Sequence, residues 1–268
     1  MMPMEKVAFI TLGCKLNFSE TSTLARLFAA RGWEEVPPGP DADCFVVNTC
    51  SVTEHADKKC RNLIRRLHKL SPKARIVVTG CYAQLKPQEV LGIEGVDLVV
   101  GAGEKGELVR LALGGESGKY GYSCEIDAVE SFFPAWSSGE RTRSFLKVQD
   151  GCDYHCAYCT VPLARGRSRN IPVADLVAQA HEIAAQGIVE VVLTGVNTGD
   201  FGKTTGERFL SLLQALDAVP GIERYRISSI EPNLLTEEIL RWIATGTKFL
   251  PHFHIPIQSG CNRTLKEM

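Results

Sequence analysis

The chain has no apolar run approaching the roughly 20 residues needed to cross a membrane. Its N-terminus, MMPMEKVAFITLG, lacks a small-residue cleavage site and reads as a first strand, so the expected location is the cytoplasm, with no membrane partner. Net charge is nearly absent: 30 Lys+Arg stand against 31 Asp+Glu, which argues against a whole-surface nucleic-acid binder but leaves room for a local basic patch. No repeat or low-complexity tract occurs. With 44% hydrophobic and 23% charged residues, the composition is that of a globular protein rather than a disordered tail or coiled coil. Its 268 residues allow one large domain or two of average size.

What the chain has in excess is cysteine. Ten are too many for packing alone. A disulfide scaffold does not suit a reducing compartment, nor a chain long enough to build cores without staples. Metal or iron–sulfur ligation, redox chemistry, or both remain.

The fold class expected is α/β. Apolar runs at Val7–Leu12, Cys44–Val47, Ile76–Thr79 and Leu98–Val100 alternate with helix-period stretches at Ser19–Ala30 and Ala56–Leu70. Such buried runs separated by helices predict an open parallel α/β sheet over residues 1–114. The pattern dissolves across 115–143, where GGESGKYGY and the SSGE turn suggest a linker with one short hairpin. From 144 to 268 it resumes. Strands are expected at Phe145–Val148, Val189–Leu193, Tyr225–Ile230 and Phe253–Ile257, with helices at Val173–Gln186, Phe209–Ala218 and Thr236–Ala244. A further helix start at Asn262–Met268 carries no terminator, so the second domain is expected to be a partial, truncated (β/α) barrel and the chain a piece of a longer protein.

The sharpest motif is CxxxCxxC: Cys152, Cys156 and Cys159 directly follow the strand FLKV and Gly151. Three thiolates within eight residues can wrap one face of a 4Fe–4S cluster and leave one iron without a protein ligand. Zinc is the competing reading, with His155 as the fourth ligand, but structural zinc favours four closed ligands and CxxC pairs. A second constellation lies in FITLGC, FVVNTC and IVVTGC. Each places a cysteine (Cys14, Cys50, Cys81) just past a predicted strand, and parallel strand ends share one edge, where ligands bind in open α/β folds. A chance core cysteine explains any one of them; three repeats of the same placement point to a second open cluster.

The CxxxCxxC motif, with Tyr158 before its last cysteine, resembles the radical S-adenosylmethionine superfamily. Two three-cysteine sets in this order, with TLGCKLNFSE, NTCSVTEHA and VVTGCYAQ followed by GCDYHCAYCTVPLARGRSR and HFHIPIQSG, are similar to the methylthiotransferases. That resemblance implies a transferase enzyme with two 4Fe–4S clusters, S-adenosylmethionine and an electron donor. It implies further that a radical removes a hydrogen from an unactivated carbon so that a methylthio group can be installed. The LARGRSR and TGVNTGDFG segments look most like the branch acting on carbon 2 of N6-threonylcarbamoyladenosine at position 37 of tRNA, next to the anticodon. Branches modifying isopentenyladenosine or an aspartate of a ribosomal protein share the clusters, and a non-catalytic iron–sulfur carrier or zinc module is the reading from another class.

Candidate contacts follow. Thr194, Asn197, Ser229, Glu231, Gln258 and Ser259 sit after predicted strands, on the cluster side of a parallel barrel, and with Tyr158 could hold S-adenosylmethionine. For the tRNA anticodon stem-loop, Arg165, Arg167 and Arg169 offer guanidiniums beside the cluster, and Lys58, Lys59, Arg65 and Arg66 lie on the outward side of a helix whose apolar face is Cys60, Leu63, Ile64 and Leu67. A solvated helix face is the plainer account of the latter. Cys44 and Cys60 are expected to pack in the core, Cys124 and Cys261 have no companion at ligand spacing, and His252 and His254 are read as ordinary hydrogen-bonded histidines.

Overall fold

A computed structural model describes residues 4–51, 53–114, 118–139 and 142–268. Val52 of NTCSVTEHA, residues 115–117 of GGESGKYGY and Glu140 of the SSGE turn lie outside the described residues. The chain divides into two units: residues 1–133 with 163–165, and residues 134–162 with 166–268.

The first unit is built on six parallel strands: β1 (Lys6–Thr11), β2 (Glu34–Glu35), β3 (Cys44–Thr49), β4 (Arg75–Gly80), β5 (Leu98–Val100) and β6 (Tyr120–Tyr122), in spatial order β2-β1-β3-β4-β5-β6. Between them run α1 (Lys15–Ala29), α2 (Glu54–Leu70), the short α3 (Cys81–Leu85) and α4 (Pro87–Leu91), and α5 (Leu108–Leu113). The period of two along a strand sorts side chains into two cores. Phe45, Val47, Ile76 and Val78 pack on one face with Cys60, Ile64 and Leu67 of α2; Cys44, Val46 and Val77 pack on the other with Leu24 and Phe28 of α1. Helix α2 starts where the sequence supplies a cap: Thr53 Oγ1 accepts from the Ala56 amide at 3.2 Å, and Glu54 and Asp57 occupy the first turn. The stretch expected to be a linker instead supplies β6, paired in parallel with β5. A three-residue strand containing Gly121 is too short to show a period.

The second unit has four parallel strands, β7 (Ser144–Lys147), β8 (Glu190–Thr194), β9 (Arg224–Ile227) and β10 (Phe249–Phe253), in order β10-β9-β8-β7. Its helices are α6 (Val161–Arg165), whose last three residues group with the first unit, α7 (Val173–Ala185), α8 (Phe209–Asp217), α9 (Glu237–Ile243) and α10 (Asn262–Glu267). Leu146, Val191, Leu193, Tyr225 and Ile227 form a core with Leu176, Ile183, Leu212, Leu213 and Ile239 of the helices. The alternate residues Phe145, Lys147, Val192 and Thr194 are also buried and turn to the other face.

The last strand departs from expectation. It occupies 249–253 rather than 253–257, with Pro251 inside it. Proline lacks the amide a central strand donates, but β10 is an edge strand and its register shifts between Phe249 and Phe253, so the proline is accommodated. Gln258 and Ser259 therefore stand five and six residues beyond the strand rather than at its end. No described helix is long and apolar enough to cross a membrane.

Candidate iron–sulfur and S-adenosylmethionine sites

In the first unit, β1, β3 and β4 are neighbours, and Cys14, Cys50 and Cys81 follow their C-terminal ends. The sheet thus gathers three cysteines that are far apart in sequence. Gly13, at φ +115°, lies so close to Cys50 that a Cβ there would stand 2.9 Å from Cys50 Cβ and 3.3 Å from its sulfur. The thiols also feel one another: burial raises the Cys81 thiol above its usual range, Arg165 and Lys105 oppose that rise, and Cys14 and Cys50 add to it.

Sequence reasoning passed over the residue that ties this edge together. Asn17, buried in the first turn of α1, donates through Nδ2 to the carbonyls of Leu12 at 2.8 Å and Thr49 at 2.9 Å, bridging the ends of β1 and β3. Its Oδ1 accepts from Arg165 Nη2 at 2.6 Å and from the Cys14 thiol at 3.7 Å. Glu20, one turn further along α1, accepts from Arg165 Nη1 at 3.2 Å and Lys105 Nζ at 2.6 Å. All three members of this ion cluster are buried. An Asn three residues after a strand-end cysteine was the available sequence signal.

In the second unit, Cys152, Cys156 and Cys159 lie on the irregular segment between β7 and α6. The Tyr154 amide donates to Cys152 Sγ at 3.4 Å, and the Cys159 amide closes a turn on the Cys156 carbonyl at 3.0 Å. Burial raises the Cys152 thiol above its usual range, and Cys156 and Cys159 contribute. Gly151, at φ +71°, is required: a Cβ would fall 1.9 Å from the Arg167 carbonyl oxygen. Buried Gln149, also unforeseen, donates to the carbonyls of Asp150 and Gly151 and to Ser168 Oγ while accepting the Asn197 amide. Asp150 is held by Lys147 Nζ at 2.6 Å and by Arg169 Nη2 at 3.5 Å. The loop that carries the cysteines is therefore anchored by side chains on β7 and just after it.

The candidate cofactor contacts divide. Thr194 and Asn197 are buried, and Asn197 Oδ1 accepts the Glu231 amide at 3.2 Å. Asn197 Nδ2 is buried with no hydrogen-bond partner among the described residues, an orphaned donor of the kind a ligand satisfies. Burial raises the Glu231 carboxyl above its usual range. Ser229 adopts a left-handed φ of 57°, and its hydroxyl lies 3.4 Å from His254 Nδ1. Tyr158 is exposed, Gln258 is exposed with φ 58°, and Ser259 is half-buried.

Arg165 and Arg169, expected to face RNA, are buried and engaged by Glu20 and Asn17 and by Asp150 respectively. Arg167 is exposed, as are Lys58, Lys59, Arg65 and Arg66 on α2. Cys44 and Cys60 are core residues whose burial pushes their thiols up to about 12 and about 11.

Among the described residues, no three His, Cys, Asp or Glu side chains are gathered to hold a metal ion as they stand. A single zinc ion draws all its sulfurs onto one centre at about 2.3 Å. An iron–sulfur cube instead takes each sulfur on a different iron, a wider span. Two sets of neighbouring thiols that raise each other's cost of ionisation fit such a cationic core, and the unpartnered Asn197 donor fits a polar cofactor close to the second set.

Residues 146–268 match the radical SAM superfamily, and residues 6–101 match the family described as uncharacterized protein family UPF0004. A solved structure of the radical S-adenosylmethionine methyltransferase TsrM from Kitasatospora setae, with tryptophan and an S-adenosylmethionine analogue bound, superposes with TM-score 0.66 at 14% identity over 97% of this chain and 60% of its own, a likeness of fold. Residues 146–268 thus share the pattern of the radical S-adenosylmethionine superfamily, a class that uses a 4Fe–4S cluster together with S-adenosylmethionine.

The curated relatives it matches include methylthiotransferases. The threonylcarbamoyladenosine tRNA methylthiotransferase MtaB of Bacillus subtilis is 40% identical over 99% of this chain and 60% of its own length, and that of Aquifex aeolicus 38% over 98% and 65%. A tRNA-2-methylthio-N(6)-dimethylallyladenosine synthase from Anaeromyxobacter is 32% identical over 99% and 58%. The chain spans about three fifths of the length of these curated relatives.

Proposed function

We propose that the chain is a tRNA methylthiotransferase that places a methylthio group on carbon 2 of N6-threonylcarbamoyladenosine at position 37. The observation that carries this reading is the repeated donor set, three cysteines in each unit. One set sits at adjacent strand ends, the other on a loop anchored by Gln149 and Asp150. Cys152, Cys156 and Cys159 would hold the cluster that serves S-adenosylmethionine; Cys14, Cys50 and Cys81 would hold a second. When bound, the first supplies the electron for reductive cleavage of S-adenosylmethionine. The chain's own side chains bind and orient. Asn197 Nδ2 offers a buried donor to the cofactor, Thr194, Ser229 and Glu231 line the strand ends nearby, and Tyr158, Gln258 and Ser259 remain on the exposed side. Arg167 and the α2 residues Lys58, Lys59, Arg65 and Arg66 present exposed cations to the phosphates of an anticodon stem-loop. The reaction takes an electron donor and belongs in the cytoplasm, where tRNA is modified.

The threonylcarbamoyl substrate is favoured over dimethylallyladenosine because the relatives bearing that name are 34–40% identical, against 32–33% for the others. Anaerobic reconstitution followed by metal analysis tests the clusters: about eight irons per chain are expected, and stoichiometric zinc without iron would refute the scheme. Mass spectrometry of nucleosides from tRNAs carrying each modified adenosine, with a ribosomal-protein substrate in parallel, tests the acceptor. Thiomethylation of the dimethylallyl or protein substrate alone would overturn the assignment.

A further inference from the structure

The buried ions of the first unit lie at its three-cysteine edge, and their arrangement exceeds what packing requires. Lys105 comes from the segment after β5 and Arg165 from the end of α6, 85 and 145 residues from Glu20, yet both converge on that one carboxylate. Burying such groups is costly unless they pair well, as Lys105 and Arg165 do with Glu20. Arg165 reaches toward the cysteines as well, since the Asn17 Oδ1 that accepts its Nη2 at 2.6 Å also receives the Cys14 thiol at 3.7 Å. A cube on three thiolates is anionic and gains one more negative charge on reduction, so cations held nearby in a water-poor setting stabilise the reduced form more than the oxidised one.

We propose that Lys105 and Arg165, positioned by Glu20, are the resident counter-charges of the Cys14–Cys50–Cys81 centre and raise the reduction potential of the cluster held there. This rests on the assignment of a cluster to that centre. The three are positioning residues: they act on the cluster through charge, without ligating it.

The experiment uses the full chain with Cys152→Ala, Cys156→Ala and Cys159→Ala as parent, so that only the first centre is loaded. After anaerobic reconstitution, iron is counted and the midpoint potential is read by redox titration with electron paramagnetic resonance. The parent is expected to hold about four irons. Lys105→Gln should shift the midpoint to more negative values, Glu20→Gln to more positive ones. The double variant should return toward the parent, and Arg165→Lys, which keeps the charge, should stay near it. Shifts of one sign in both single variants, or none in either, with iron retained, would overturn the inference while leaving the cluster assignment standing. A parent that takes up no iron removes the assignment and the inference together. Should a single variant lose its iron, the double variant decides: iron retained with a parent-like midpoint supports the charge role, and iron lost there too assigns the residues to scaffolding alone.

Discussion

Asn17 is the side chain whose replacement tests the architecture of the first centre most directly. Its Nδ2 bridges the Leu12 and Thr49 carbonyls, one at the end of each neighbouring strand, while its Oδ1 serves Arg165. Asn17→Asp keeps the shape and the acceptor for Arg165 but turns the shared donor into an oxygen facing two carbonyls. Two hydrogen bonds are lost in a buried setting, each costing about 1–2 kcal/mol, so the first unit should weaken by about 2–4 kcal/mol. With a urea slope of about 2 kcal/mol/M, its midpoint should fall by about 1–2 M. Because the chain has two units, the readout is hydrogen exchange by mass spectrometry on peptides from β3 and β4 across a urea series. Asn17→Ala, which also loses the Arg165 contact, should fall at least as far. Were Asn17→Asp as stable as the parent, the bridge would carry no weight, and the contact to Arg165 would be the part that matters.

Gly151→Ala drives a methyl into the Arg167 carbonyl at a positive φ, so the reconstituted chain should lose about four of its irons while the first centre keeps its own, read by iron and sulfide analysis. Asn197→Ala removes the orphaned donor and should weaken S-adenosylmethionine binding to the reconstituted protein about tenfold by calorimetry, about 1.4 kcal/mol. The Cys44 thiol, raised to about 12 when folded against 9.0 for the free group, stabilises the fold fully below pH 9, and that contribution is lost as pH rises toward 12. The loss should reach about 1.4 kcal/mol by pH 10, and Cys44→Ala should flatten this alkaline decline in unfolding experiments. Replacing Lys58, Lys59, Arg65 and Arg66 by Ala should weaken tRNA binding and lower the slope of log affinity against log salt by about one for each phosphate contact removed; an unchanged slope would make α2 a plain solvated face.

Sequence by itself determined the elements with a strong local signal. The runs FVV and IVV are buried on both faces and could only be inner strands of a parallel sheet, and α2 announces itself by its 3.6-residue apolar stripe, although its start at Thr53 came only with the structure. The spacing of Cys152, Cys156 and Cys159 is likewise local chemistry. So too, less obviously, is the grouping of Cys14, Cys50 and Cys81: parallel strands end on one edge, so a cysteine after each strand is placed by topology. Tertiary structure alone decided the fate of the charges and the edges. No local pattern says that Arg165 will meet Glu20 across 145 residues, or that Arg169 will turn inward to Asp150, because the energy of a buried ion is set by whichever partner the fold brings near. Nor does one say that Pro251 belongs to a strand. Only its place at the sheet's open edge, where no neighbour needs the missing amide, permits it.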